Sequence, residues 1–247
     1  MLYEIQGAGM SNLTELIQVA GACSAQEALM LARCGATHVG LPLRLAVHRP
    51  DLSEDAARDL VVSLSGRAKA VLITYIEDAR EALALCRYLG VAAVQLHGPM
   101  PLDEVRRLRE AAPQLYVIKS LVVGTRPEAD ILADAKAHAP FVDAFLTDTF
   151  DPATGATGAT GKVHDWAVSE RLARALPRPL ILAGGLTADN VAEAILAVRP
   201  AGVDAHTGLE DAQGAKDEAL VRRFVAEARR AFDLLRGAGL AKACESK

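Results

Sequence analysis

Side chains able to move protons cluster near the ends of short apolar runs in this 247-residue sequence. Asp148 follows the apolar stretch "AFL" (144–146) in "AFLTDT". Apolar neighbours there would desolvate its carboxyl and let it hold a proton near neutrality, although an aspartate in "TDTFDP" also suits a turn cap. His97 in "VQLHG", Asp204 and His206 in "GVDAHTG", and His48 in "AVHRP" add imidazoles and a second carboxylate. Together they suit general acid and base work. In principle they also suit a metal, but their spacing selects none and no metal site is assigned. Lys119, closing "LYVIK", offers an amine for Schiff-base chemistry. The first such run, "LIQVA" (16–20), ends in Ala20 and carries no group that can move a proton.

A second chemistry is written in glycine. "DTFDPATGATGATGKVHDW" (148–166), "LILAGGLTADN" (180–190) and "GVDAHTGLEDAQGAKD" (202–217) each follow an apolar run and lead toward a helical pattern. Gly184-Gly185 and Thr207-Gly208 let backbone N–H groups approach phosphate oxygens closely. Any one of these glycines is explained by a tight turn; three loops of this kind at strand ends point to a phosphorylated ligand.

These groups must be held by strands alternating with helices. Strands are expected at Leu16–Ala20, His38–Leu41, Ala70–Ile73, Ala92–Leu96, Leu115–Lys119, Phe141–Leu146, Leu180–Ala183 and Gly202–Ala205. Between them, "SEDAARDLVVSL" (53–64), "EDAREALALCRYLG" (77–90) and "PLDEVRRLREAA" (101–112) space apolar residues by three and four, as amphipathic helices do. Ser53 and Asp189 suit helix starts and Gly90 a helix end. Eight units favour an α/β fold of the (β/α)8 TIM-barrel type, with working groups at the carboxyl ends of the strands and phosphate at the loops after strands seven and eight. A doubly wound open sheet shows the same alternation, but no GxGxxG follows the first strand. The expected organisation is one barrel domain over residues 16–236, with an N-terminal extension (1–15) and a C-terminal tail (237–247).

Composition narrows the function classes. Hydrophobic residues make up 51% and charged residues 23%, enough apolar material for a large core. A net charge of −4 argues against a nucleic-acid footprint. Cys23, Cys34, Cys86 and Cys244 form no CxxC pair, so reduced thiols are expected. No run of about 18 apolar residues occurs, and the opening lacks the order of a signal peptide. The expectation is a cytoplasmic protein acting on a phosphorylated small molecule, without a cofactor and without membrane or nucleic-acid partners; no oligomeric state follows.

Four segments in this order and spacing, "VQLHG" (94–98), "FLTDT…GATGKVHDW" (145–166), "LAGGLTADNVAEAI" (182–195) and "GVDAHTGLEDAQGAKD" (202–217), resemble the phosphoribosylanthranilate isomerase family of tryptophan biosynthesis, over about residues 16–232. The resemblance implies a (β/α)8 barrel performing an Amadori rearrangement. One group opens the ribose ring as an acid and another takes the C2' proton as a base. By position, Asp148 resembles the general acid. Arg49 falls where the family's arginine contacts the anthranilate carboxylate, a task suited to a two-pronged guanidinium. Gly161, Gly184, Gly185, Thr207 and Gly208 match the phosphate turns, and His97 and Asp204 fall on substrate-binding positions. His206 replaces a small residue of the last turn.

The same resemblance leaves a gap. Where the family's first strand carries a cysteine as base, this chain has Ala20. Cys23, three residues onward, is a candidate substitute, as are His97, His206 and Lys119 on other strands. The alternatives to the isomerase are a diverged lyase or hydrolase on a related phosphorylated molecule, or a phosphosugar-binding homologue without catalysis.

Overall fold

The computed structural model describes residues 15–45, 52–149 and 166–245. Eight parallel strands close into a barrel in sequence order, from β1 (Leu16–Ala20) through β2 (His38–Pro42), β3 (Lys69–Thr74), β4 (Ala93–Leu96), β5 (Tyr116–Val123), β6 (Ala144–Thr149) and β7 (Leu180–Leu182) to β8 (Gly202–Ala205). Closure comes from β8 pairing in parallel with β1, with Gln18 opposite Asp204 and Val19 opposite Ala205. An open doubly wound sheet is thereby excluded.

Helices follow the strands: α1 (Ala25–Arg33), α2 (Glu54–Leu64), α3 (Ala79–Leu89), α4 (Leu102–Ala111), α5 (Glu128–His138), α6 (Trp166–Ala175), α7 (Val191–Val198) and α8 (Glu218–Glu245). Local chemistry sets several of their ends. Ser53 accepts from the Ala56 N–H and starts α2, while Asp78 accepts from the Glu81 N–H and starts α3. Gly90 ends α3 in the left-handed conformation, at φ 74°, which glycine adopts without a Cβ penalty. At α7 the cap is Asn190 rather than Asp189; the Asp189 carboxylate turns outward and pairs with Arg223.

Strand alternation sorts the side chains into two cores. Outward residues such as Val19, Val39, Leu72, Val94, Val117 and Val203 pack under the helices. Inward residues Leu16, Val71, Ala93, Tyr116, Ile118, Ala144, Leu146, Ile181 and Ala183 form a separate apolar plug inside the barrel. Such a plug makes the interior a packed floor rather than a pore. β2, β3, β4 and β7 shift by a residue at one or both ends, and two strands differ from the sequence reading by more. β5 continues to Val123 instead of stopping at Lys119, and β6 begins at Ala144 and runs to Thr149. β5 and β6 pair from Ile118–Ala144 to Val123–Thr149, so mutual hydrogen bonding carries both past the apolar runs. Asp148 is consequently a strand residue, inside the barrel mouth.

Candidate active site

A cavity of about 530 Å³ opens at the carboxyl ends of the strands and is lined by Ala20, His97, Asp148, Gly185, Asp204 and Gly208, among others. The acid candidate and both glycine turns therefore share one rim. That is where a (β/α)8 barrel keeps its working groups.

Asp148 is 3% exposed, and its Oδ2 lies 2.9 Å from Nε2 of His97. On its other side the His97 ring has Nδ1 3.1 Å from Ser120 Oγ and 3.4 Å from the Gln95 side-chain nitrogen. Tyr75 packs edge-on to the ring, with centroids 5.0 Å apart. Gln95 is itself fixed by accepting from the Gln18 side-chain nitrogen at 2.9 Å. The supporting residues Gln18, Gln95 and Ser120 lie at inward parity on β1, β4 and β5. That parity was readable from the sequence once Asp148 and His97 were singled out, but sequence reasoning passed over all three because none ionises.

Asp204 lies at the inner end of β8 and is 8% exposed. Burial pushes its carboxyl up to about 7 against a hydrogen bond from Gln18; nearby Asp148 raises it further, while His97 and Lys216 oppose. Among the described residues its Oδ1 has no hydrogen-bond partner.

The two glycine turns are built differently. Gly184 (φ 99°) and Gly185 (φ 64°) occupy backbone conformations that L side chains rarely adopt. Asn190 fastens their turn, donating to the Gly185 carbonyl and accepting from the Thr187 N–H. Gly208 is needed for closeness instead, since a Cβ there would lie 2.1 Å from the Leu186 carbonyl oxygen. Its missing side chain lets the loop after β8 rest directly on the loop after β7.

His206 lines the cavity, and its ring lies against Gly21, where a Cβ would come 2.1 Å from Nε2. Its Nε2 is also 3.4 Å from Glu210 Oε1, and Glu210 pairs with Lys216 at 2.5 Å. The imidazole thus fills the mouth just past the end of β1. Cys23 is on the rim and exposed, and its thiol donates to Glu27 at 3.0 Å. Burial pushes the Glu27 carboxyl up, but hydrogen bonds from Cys23 and the Lys216 backbone, with the Lys216 charge, hold it below the ordinary value. The thiol is therefore one part of a clamp that ties the loop after β1 to the loop after β8.

Lys119 is placed elsewhere. Alternating with inward Ile118 and Ser120, it points away from the cavity and donates to the Gly98 carbonyl at 2.9 Å. Burial lowers its amine to about 8, but it does not line the cavity, which removes it as a Schiff-base or proton-accepting residue. Arg49, Gly161 and His48 lie outside the described residues. Among the described residues no group of three His, Cys, Asp or Glu side chains converges to hold a metal ion. Among them also, no helix is long and apolar enough to cross a membrane.

The geometry can be set beside known proteins. A family model described as N-(5'phosphoribosyl)anthranilate (PRA) isomerase matches residues 18–227. N-(5'-phosphoribosyl)anthranilate isomerase 2 of Methanosarcina mazei is 38% identical over 226 residues, covering 91% of this chain and 98% of that protein. The Haloferax volcanii isomerase is 36% identical over 218 residues, covering 87% and 93%. The crystal structure of the Thermotoga maritima enzyme superposes with a TM-score of 0.74 at 28% identity, over 87% of this chain and 98% of that one. Another similar structure, with a TM-score of 0.72 at 28% identity and the same coverage, is an isomerase of this kind in complex with reduced 1-(o-carboxyphenylamino)-1-deoxyribulose 5-phosphate. With a family model spanning most of the barrel and relatives matched over nearly their whole length, this chain belongs to the N-(5'-phosphoribosyl)anthranilate isomerase family.

Proposed function

We propose that this chain isomerises N-(5'-phosphoribosyl)anthranilate by an Amadori rearrangement, with Asp148 and His97 as the proton-donating pair. The observation that carries this is the single rim on which the buried Asp148–His97 pair faces the glycine turns after β7 and β8. The enzyme is an intramolecular oxidoreductase of the aldose-ketose type in tryptophan biosynthesis, the activity named in its relatives.

Backbone N–H groups at Gly184-Gly185 and Thr207-Gly208 hold the substrate phosphate, with Gly161 contributing from the loop after β6. Arg49 takes the anthranilate carboxylate. The Asp148–His97 pair carries one proton to the ribose ring oxygen. The bond from C1' to that oxygen breaks, and the nitrogen lone pair forms a C1'=N iminium. Loss of the C2' proton then moves electrons into C1'=C2' and back onto nitrogen, and the resulting enol tautomerises to the ketose. The step is an isomerisation, so no external oxidant or cofactor enters. The substrate is a small anion and the chain carries a net charge of −4, which fits a cytoplasmic metabolic enzyme without a nucleic-acid partner.

The test is product identity. Incubation of the purified protein with N-(5'-phosphoribosyl)anthranilate is expected to give the carboxyphenylamino-deoxyribulose phosphate as the sole product. Release of free anthranilate by a lyase or hydrolase route would overturn the reading.

A further inference from the structure

Within the isomerase reading, a second group must take the C2' proton, and the end of β1 does not supply it. Ala20 is the inward residue there, lining the cavity with a methyl group alone. We infer that Asp204, on the neighbouring strand β8, is the base that takes the C2' proton in this chain.

Register places it. β8 pairs with β1 so that Asp204 stands opposite Gln18, the inward residue two before Ala20. The carboxyl thus lies on the cavity wall beside the strand that lacks a titratable side chain. A Gln18 amide holds it, yet among the described residues Oδ1 has no partner. A carboxylate oxygen buried without a partner is costly in a folded protein unless it serves a ligand. The surroundings suit the task, because a base works best with a pKa near the working pH, and this carboxyl sits at about 7.

The other candidates in the mouth are differently engaged. The Cys23 thiol donates to Glu27 in an exposed loop. His206 turns Nε2 toward Gly21 and Glu210. His97 turns Nε2 to within 2.9 Å of Asp148 Oδ2. In the step assigned to Asp204, the ionised carboxylate takes hydrogen from C2' as a proton. The C–H electrons become the second bond of C1'=C2', and the iminium electrons return to nitrogen. Asp148 has lost one proton and Asp204 has gained one, so the enzyme's charge is unchanged, and exchange with water returns the proton from Asp204 to Asp148 for the next turnover.

The inference rests on the isomerase reading, and one set of measurements separates the two. Asp204→Asn keeps the side-chain shape and is expected to lower kcat at least about 10²-fold, while binding of the reduced carboxyphenylamino-deoxyribulose phosphate changes less than about threefold by calorimetry. Adding Ala20→Cys to Asp204→Asn is expected to return part of the rate by placing a thiol on β1. Adding it to Asp148→Asn is expected to return none. An Asp204→Asn enzyme turning over within about threefold of wild type would overturn the inference and leave the isomerase reading standing. Failure of the wild type itself to turn over would overturn the reading and the inference together. A measurement on the unmodified enzyme guards against a variant that does not fold. The groups facing Asp204 are Gln18 from β1, His97 from β4, Asp148 from β6 and Lys216 beyond β8. The rate sensitive to deuterium at C2' is expected to rise with pH and level off once the Asp204 carboxyl is ionised, near 7. A rate that keeps climbing to about 9, as a thiol base requires, would contradict the assignment.

Discussion

His97 and Asp148 meet at 2.9 Å through Nε2 and Oδ2, across the gap between β4 and β6. Ser120, on the strand between them, reaches the far nitrogen of the same ring. The arrangement fixes the imidazole between Ser120 and the carboxyl of Asp148.

His97→Gln is therefore expected to lower kcat about 10- to 100-fold, because the proposed acid loses the imidazole that stands against it at 2.9 Å. KM should change little. Steady-state kinetics separate the two parameters, and a change confined to KM would assign His97 to binding alone.

Gly208→Ala places a methyl group 2.1 Å from the Leu186 carbonyl oxygen, so one of the two loops after β7 and β8 must move. Affinity for inorganic phosphate and for the substrate analogue should fall about tenfold or more, equivalent to roughly 1.4 kcal/mol. Gly185→Val should do the same through backbone strain, since φ there is 64°. Calorimetry on both variants, with melting curves to show that the barrel survives, checks the phosphate assignment.

Stability should carry the mark of Asp204. Its carboxyl sits at about 7 in the fold against an ordinary value of 3.8, so between those values the folded state binds the proton more strongly. Stability contributed at low pH is thus lost as pH rises from about 4 to about 7, and the loss is complete above that range. At pH 8 Asp204→Asn is expected to be more stable than wild type by roughly 1–4 kcal/mol, given about 1.4 kcal/mol per pKa unit. The two proteins should converge near pH 4. Urea unfolding at both pH values gives the comparison, and equal stability at pH 8 would show that the carboxyl is not strained by burial.

Lys119, turned away from the cavity and bonded to the Gly98 carbonyl, should form no Schiff base. Treatment with substrate and borohydride is expected to leave the peptide containing Lys119 unmodified by mass spectrometry. A substrate adduct on that lysine would return the lyase reading.

The sequence made the barrel legible because parallel strands buried on both faces read as apolar runs, and eight of them alternate with helical patterns. The glycine turns were legible for a related reason, since Gly184 and Gly185 adopt positive φ and few other residues can replace them there. Inward or outward direction at the strand ends was harder to read. Lys119 and Ser120 are adjacent, yet only Ser120 reaches His97, because β5 runs past its apolar segment with alternation unbroken. Asp204 was legible as a carboxylate at a strand end, but not its burial, which follows only from the closure of the barrel that sets β8 against β1. Desolvation of that kind depends on neighbours far away in sequence, and no local spacing reports it.

The most direct test of the account is the turnover number for N-(5'-phosphoribosyl)anthranilate in wild type and in Asp148→Asn, measured beside binding of the reduced carboxyphenylamino-deoxyribulose phosphate. Wild type should turn over, and Asp148→Asn should lose about 10²- to 10⁴-fold in kcat with the affinity for the analogue kept. Equal turnover by the two proteins, or analogue binding with no turnover by wild type, would contradict the account.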